Sequence, residues 1–216
     1  MDTSLFSITN IIIAITAIVS FSAFNNQKVT DDLIFTPPAI DRRKQWYRFL
    51  SCALIHADIG HLAFNMFSLF MFGKIVEETF GELFGAKGAV LYILLYVLSQ
   101  FLCLLPTYFK NKDNYYYRSL GASGAVSAVI FAGIMLYPLQ KVYLFFIPVG
   151  IPGFIFGFIY LGVTAYLDRK GDGNINHSAH MFGALAGIGL LLVFGFALSP
   201  YNLVENFIEQ VKSFGQ

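Results

Sequence analysis

At 216 residues, with 56% hydrophobic side chains, 17% aromatic and 12% charged, the chain carries half the roughly 25% charge of a soluble domain. Too little polar surface remains to coat a water-exposed globule, and a mean hydropathy of +0.64 points instead to a polytopic membrane domain. The net charge of +1 offers no basic field for nucleic acid, and the aromatic and aliphatic content excludes intrinsic disorder.

About 20 apolar residues cross a bilayer as a helix. Six apolar stretches follow in chain order, at 8–24, 50–73, 88–105, 121–138, 142–167 and 178–198. The first follows Asp2 with no basic residue before it, so it reads as a retained span and not a cleavable signal peptide. Polar joints separate the stretches. The longest, 25–48, holds Thr36-Pro37-Pro38 and Asp41-Arg42-Arg43-Lys44. Lys74–Lys87 forms a second, and Lys110–Arg118 contains Tyr115-Tyr116-Tyr117, which reads as an interface belt. The last runs from Asp168 to Asn174. Beyond the sixth stretch, Leu203, Val204, Phe207, Ile208 and Val211 recur at helical spacing, the mark of a short amphipathic helix on a membrane face. Residues 1–200 are therefore expected to form one membrane domain, and 201–216 an amphipathic tail. Cys52 and Cys103 read as buried thiols, without a CxxC metal pair.

All four histidines (His56, His61, His177 and His180) lie in or beside apolar stretches, with Asn65 and Ser123. Polar side chains at membrane depth are costly unless they face partners, so each is a functional candidate. Taken singly, each reads first as a residue that ties two helices together. Their joint arrangement says more. Ser119-Leu120-Gly121-Ala122-Ser123-Gly124 opens the fourth stretch. A serine in a helix's first turn has neighbouring backbone N–H groups without intrahelical partners, which suit a developing oxyanion. Gly124, Ala128 and Ala132 form a small-every-fourth face, and Ala179, Gly183 and Gly187 form another beside His180. Two such faces let helices meet closely enough for a Ser–His hydrogen bond, and that histidine can then shuttle the serine proton. On the second stretch, His61 and Asn65 stand four apart and share one helix face. Their side-chain N–H donors could complete an anion pocket with the Ser123 backbone. His56 turns away towards the mouth of the span, and Asp58 reads as an N-cap.

The three motifs are H-x4-H-x3-N on the second stretch, G-x-S-G on the fourth and A-H-x2-G-x3-G on the sixth. Together they resemble the rhomboid intramembrane serine proteases, in order and over essentially the whole chain. The resemblance implies an all-α, six-transmembrane-helix bundle with a Ser123–His180 catalytic dyad and no cofactor or metal. It implies an oxyanion site of His61, Asn65 and the Ser123 backbone, with His56 nearby. Arg48, at the family's Trp-Arg position in the first loop, is implied to be structural. Many members carry a tyrosine one turn after the nucleophile, stacked on the histidine. Here that position is Ser127, so the histidine must be oriented by an aromatic such as Phe182 or by packing. With the family's inside N-terminus, Lys74, Lys87, Lys141 and Lys212 fall inside and the other ten of the 14 basic residues fall outside, against the positive-inside tendency. The implied partners are the lipid bilayer and single-span or polytopic membrane-protein substrates. The implied location is multi-pass in a bacterial plasma (inner) membrane.

Two rivals remain. Four histidines in two pairs could hold a metal in a membrane metalloprotease, although no H-E-x-x-H occurs. Pro148, Pro152 and Gly153 in the fifth stretch would suit the broken helices of a transporter or binding protein. The same stretch holds Gly150, Gly157 and Gly162. These glycines read either as packing or, by the resemblance, as lateral movement that admits a substrate helix.

Overall fold

The structure, a computed structural model, describes residues 6–143, 149–171 and 175–215. Helix α1 (Ile8–Asn25) begins where extended Ser7 accepts the Asn10 N–H, and a distant carboxylate completes the cap. Glu77 accepts the Ile8 N–H at 2.7 Å and the Thr9 N–H at 2.9 Å, putting negative charge at the positive helix end. The helix buries Thr9, Thr16, Ser20 and Ala23 and turns Ile11, Ile15, Ile18 and Phe21 outward. Small and polar residues inside with aliphatic ones outside invert the soluble pattern. That arrangement suits a helix bathed in lipid.

The first loop folds into three short helices: α2 (Gln27–Leu33), α3 (Pro37–Arg43) and α4 (Arg48–Ser51). Pro37 suits the first turn of α3 because its missing N–H would have no helical partner there. Arg48 is buried and ties the loop together. Its guanidinium donates to the Asp31 and Ile34 carbonyls at 2.8 and 2.7 Å and to Gln45 Oε1 at 2.6 Å.

Helix α5 (Ile59–Phe84) departs from the predicted stretch at both ends. Residues 50–58 do not join it, because Asp58 in extended backbone accepts the His61 N–H at 2.8 Å and starts the helix there. The predicted joint from Lys74 onward is helical to Phe84, since charged residues alone do not end a helix. Glu77 has the α1 N-terminus as partner, and the turn comes at Gly85, whose φ of +55° favours glycine. Helix α6 (Gly88–Asn111) returns against α5, and α7 (Ser123–Leu136) follows. The fifth stretch is also corrected. Lys141–Val142 and Ile151–Pro152 pair as a two-residue antiparallel hairpin, β1 and β2. Helix α8 (Gly153–Lys170) starts only after Pro152 and stops at Gly171, which has φ +70°. Pro148, invoked for a broken helix, lies outside the described residues, as do residues 172–174 of the last joint. Helix α9 (His177–Leu198) and the amphipathic α10 (Leu203–Lys212) complete the chain. Helix α10 seats Leu203 at Gly195, and Gln210 donates to the Leu136 carbonyl at 3.2 Å.

Among the described residues, three stretches are long and apolar enough to cross a membrane: Ile8–Asn25, Ile59–Asn111 and His177–Leu198. The middle one is folded by the Gly85–Lys87 turn into α5 and α6. At 14 residues, α7 is only about 21 Å long at 1.5 Å per residue, short of the roughly 30 Å hydrocarbon core. The backbone before it therefore runs within the bundle, where every polar group needs a protein partner. Phe35 and Ser119 exchange N–H···O bonds of 3.0 and 3.1 Å, and the Gly121 N–H reaches the Cys52 carbonyl at 2.9 Å.

Candidate active site

Helices α5, α7 and α9 all begin at one end of the bundle, and His61, Asn65, Ser123, Ser127 and His180 lie in their first two turns, whereas His56 precedes α5 and Arg48 is on α4. Three positive helix ends thus converge where a negative charge would be stabilised. Ser123 is the first residue of α7. Before it, Gly121 has φ +113°, in a region that L side chains rarely enter. A Cβ on Gly121 would stand 2.7 Å from Cε1 and 3.0 Å from Nε2 of His61. The glycine therefore lets the His61 ring lie directly against the backbone leading into Ser123.

His180, on α9, brings Nε2 to 2.7 Å from Ser123 Oγ. The two small faces make this approach possible. A Cβ on Gly183 would collide with the Gly124 carbonyl oxygen, and one on Gly187 with that of Ala128. Helix α9 is held at its start by Asn176, which caps it through the Ala179 N–H at 3.0 Å and shares hydrogen bonds with Thr107 of α6. A cleft of about 170 Å³ lined by Thr107, Tyr117, Asp168, Asn176 and His177 opens beside this helix start. The His177 ring lies 6.0 Å from that of His180. The described His, Cys, Asp and Glu side chains form no group of three placed to hold a metal ion, so the donor set that the metalloprotease reading needs is not assembled among them.

Asn65 is buried on α5 and donates from Nδ2 to the His61 carbonyl at 2.9 Å. His56 is buried as well, closer to the centre than a span's mouth suggests. Its Nε2 accepts the Ala122 N–H at 3.4 Å, and Nδ1 lies 3.0 Å from Ser20 Oγ. Ser127, one turn after Ser123, meets a tyrosine from another helix: its hydroxyl lies 2.9 Å from Tyr160 OH of α8. Phe182 packs against the cluster containing Phe49, Cys103 and Tyr108. Ser20, Tyr160 and the Thr107–Asn176 pair escaped the sequence reading. Ser20 and Tyr160 are polar groups within apolar stretches, and the test that selected the histidines would have found both. In chemical terms, a hydroxyl bonded to an imidazole beside a cluster of N–H donors can act as a nucleophile–base pair with an anion site.

A helical bundle with apolar outer faces and such a polar site at one end defines a class of integral membrane protein. The Rhomboid domain family model matches residues 43–197, and the chain belongs to the rhomboid family. It is 30% identical over 177 residues to the RHOMBOID-like protein 12, mitochondrial, of Arabidopsis thaliana, covering 77% of this chain and 51% of that protein. It is 26% identical over 169 residues to the Rhomboid protease GlpG of Haemophilus influenzae, covering 77% and 78%. Against the Rhomboid protease GluP of Bacillus subtilis it is 28% identical over 144 residues, covering 66% and 25%. The chain spans about half the length of the plant relatives it matches. Because the relatives are mitochondrial, chloroplastic and bacterial, membership means an integral membrane protein, not one particular membrane.

Proposed function

We propose that this protein is an intramembrane serine endopeptidase that cleaves transmembrane segments of membrane-protein substrates. The observation that carries the reading is the 2.7 Å approach of His180 Nε2 to Ser123 Oγ. Ser123 attacks the scissile carbonyl while His180 takes its proton, then delivers it to the leaving amine. The carbonyl oxygen, now an anion, is held by the Ser123 N–H, His61 and Asn65. Water then hydrolyses the acyl-enzyme by the same proton path in reverse order. Position favours this chemistry. The residues lie in the first turns of their helices, near one end of the bundle, where water can enter without crossing the bilayer. Ser127 accepts or donates to Tyr160 and leaves His180 to be oriented by the α7–α9 seam, and Arg48 keeps the first loop folded.

The reading includes six crossings, with α7 as a short internal span and α8 completing the set. It includes residues 1–200 as the protease domain and the bacterial plasma membrane as its location, in line with its bacterial relatives. Ser123→Ala and His180→Ala should each abolish cleavage of a single-span model substrate while thermal stability is kept. A dyad acts as a unit, so the double variant should be little worse than either single one. A fluorophosphonate probe should label the protein only when Ser123 is present. Labelling that survives Ser123→Ala, or activity that a chelator removes and zinc restores, would sink the assignment.

A further inference from the structure

His56 is 3% exposed and sits between α1 and the backbone that leads into Ser123. Its two ring nitrogens have different partners, and the partners dictate the ring's protonation. A backbone amide can only donate, so the Ala122 N–H at 3.4 Å requires a lone pair on His56 Nε2. The neutral ring then carries its hydrogen on Nδ1, which faces Ser20 Oγ at 3.0 Å. Ser20 accepts that hydrogen and passes its own to the Leu54 carbonyl at 2.9 Å. The donors run in one direction, from Ala122 through His56 and Ser20 to Leu54, and every group in the series has a partner. Ser20 is fully buried on α1, outside residues 43–197 matched by the family model.

We infer that Ser20 is a positioning residue for the hydrolysis, acting through His56. By accepting from Nδ1–H, it holds His56 in the tautomer whose Nε2 can anchor the Ala122 N–H. The peptide between Gly121 and Ala122 is thereby fixed, and with it the direction of the next N–H, that of Ser123. Fixing matters here because Gly121, at φ +113°, has more conformational freedom than any other residue type. The opposite tautomer would set Nε2–H against the Ala122 N–H, two donors facing each other in a buried site. One of them would lose its partner, and the peptide would turn. The two neighbouring imidazoles, 4.9 Å apart, thus have opposite tasks. His56 accepts from the backbone, while His61 donates to the oxyanion.

This inference rests on Ser123 as the nucleophile, but its first test needs no activity. Nitrogen NMR of the protein with 15N-labelled histidine, in detergent, should show one imidazole that disappears in His56→Gln and carries its hydrogen on Nδ1. In Ser20→Ala that resonance should move towards the Nε2–H form, and kcat should fall about tenfold with KM unchanged, the scale of one hydrogen bond. Ser20→Thr, which keeps the hydroxyl, should restore both. In a His56→Ala background, Ser20→Ala should cost nothing further, because Ser20 acts through that ring. A wild-type His56 carrying hydrogen on Nε2 would overturn the inference even if the protein cleaves as proposed. So would equal losses from Ser20→Ala in both backgrounds, which would make Ser20 a packing residue of α1. Failure of Ser123→Ala to abolish cleavage would instead remove the underlying function and leave the tautomer result standing.

Discussion

Asn65 donates one amide hydrogen to the His61 carbonyl at 2.9 Å, and an amide has two. The second is the one that a developing oxyanion would recruit. Losing a single oxyanion donor elsewhere has cost about 2.7–4 kcal/mol. In the proposed mechanism His61 and the Ser123 N–H share the charge, so Asn65→Ala should lower kcat by only about tenfold, with KM little changed because the anion exists only near the transition state. Asn65→Asp should be worse than Asn65→Ala, since an ionised carboxylate repels that anion. Turnover of one substrate by the three proteins in the same detergent, with melting temperatures measured alongside, makes the comparison. Full kcat in Asn65→Ala would leave Asn65 with a role in helix packing alone.

Between elements, the decisive contact is the α7–α9 seam. Gly183 and Gly187 abut the carbonyl oxygens of Gly124 and Ala128, so the backbones themselves touch and no side chain can yield. Gly183→Ala must push the helices apart. Overpacking of this kind typically costs about 1–3 kcal/mol, and widening the Nε2–Oγ distance beyond hydrogen-bond reach should reduce activity a hundredfold or more, by roughly the amount that misplacing a catalytic group costs. Gly162, on α8, is the internal control. Among the described residues, no atom beyond its own stretch of helix backbone lies within 4 Å of where its Cβ would be, and alanine is favoured over glycine in a helix by about 0.8–1 kcal/mol. Gly162→Ala should therefore keep activity and melt no lower than the parent. Unchanged melting and turnover in Gly183→Ala would mean that the seam does not set the Ser123–His180 geometry.

For the whole molecule, topology is the testable quantity. The first loop, the turn after α6 and the start of α9 lie at the same end as Ser123, whereas the α5–α6 turn lies at the other. Single cysteines at Lys28, Asp113 and Ile175 should therefore share one accessibility, and a cysteine at Ala86 the opposite one. The background would carry Cys52→Ala and Cys103→Ala. An impermeant thiol reagent on intact cells should label the first three if the N-terminus is inside, despite the basic residues clustered at that end. Labelling of Ala86→Cys alone would mean that charge orients the chain. A mixture within the first three would break the bundle topology itself.

The lipid-facing helices and the three motifs were legible in the chain because both are local. A bilayer demands long apolar runs, and an i,i+4 pair such as His61 and Asn65 shares a face in any helix. The small-every-fourth faces likewise announced that α7 and α9 could approach. Where α5 begins was decided by one side-chain cap at Asp58, and where it ends by a left-handed glycine; hydropathy averages over both. Partners far apart in sequence left less trace. Ser20 and His56 are 36 residues apart, and Ser127 and Tyr160 are 33. Each of these residues was visible as a polar group in or beside an apolar stretch, but composition states only that it needs a partner at depth. Which partner it meets follows from how the helices pack, and only the tertiary structure decides that.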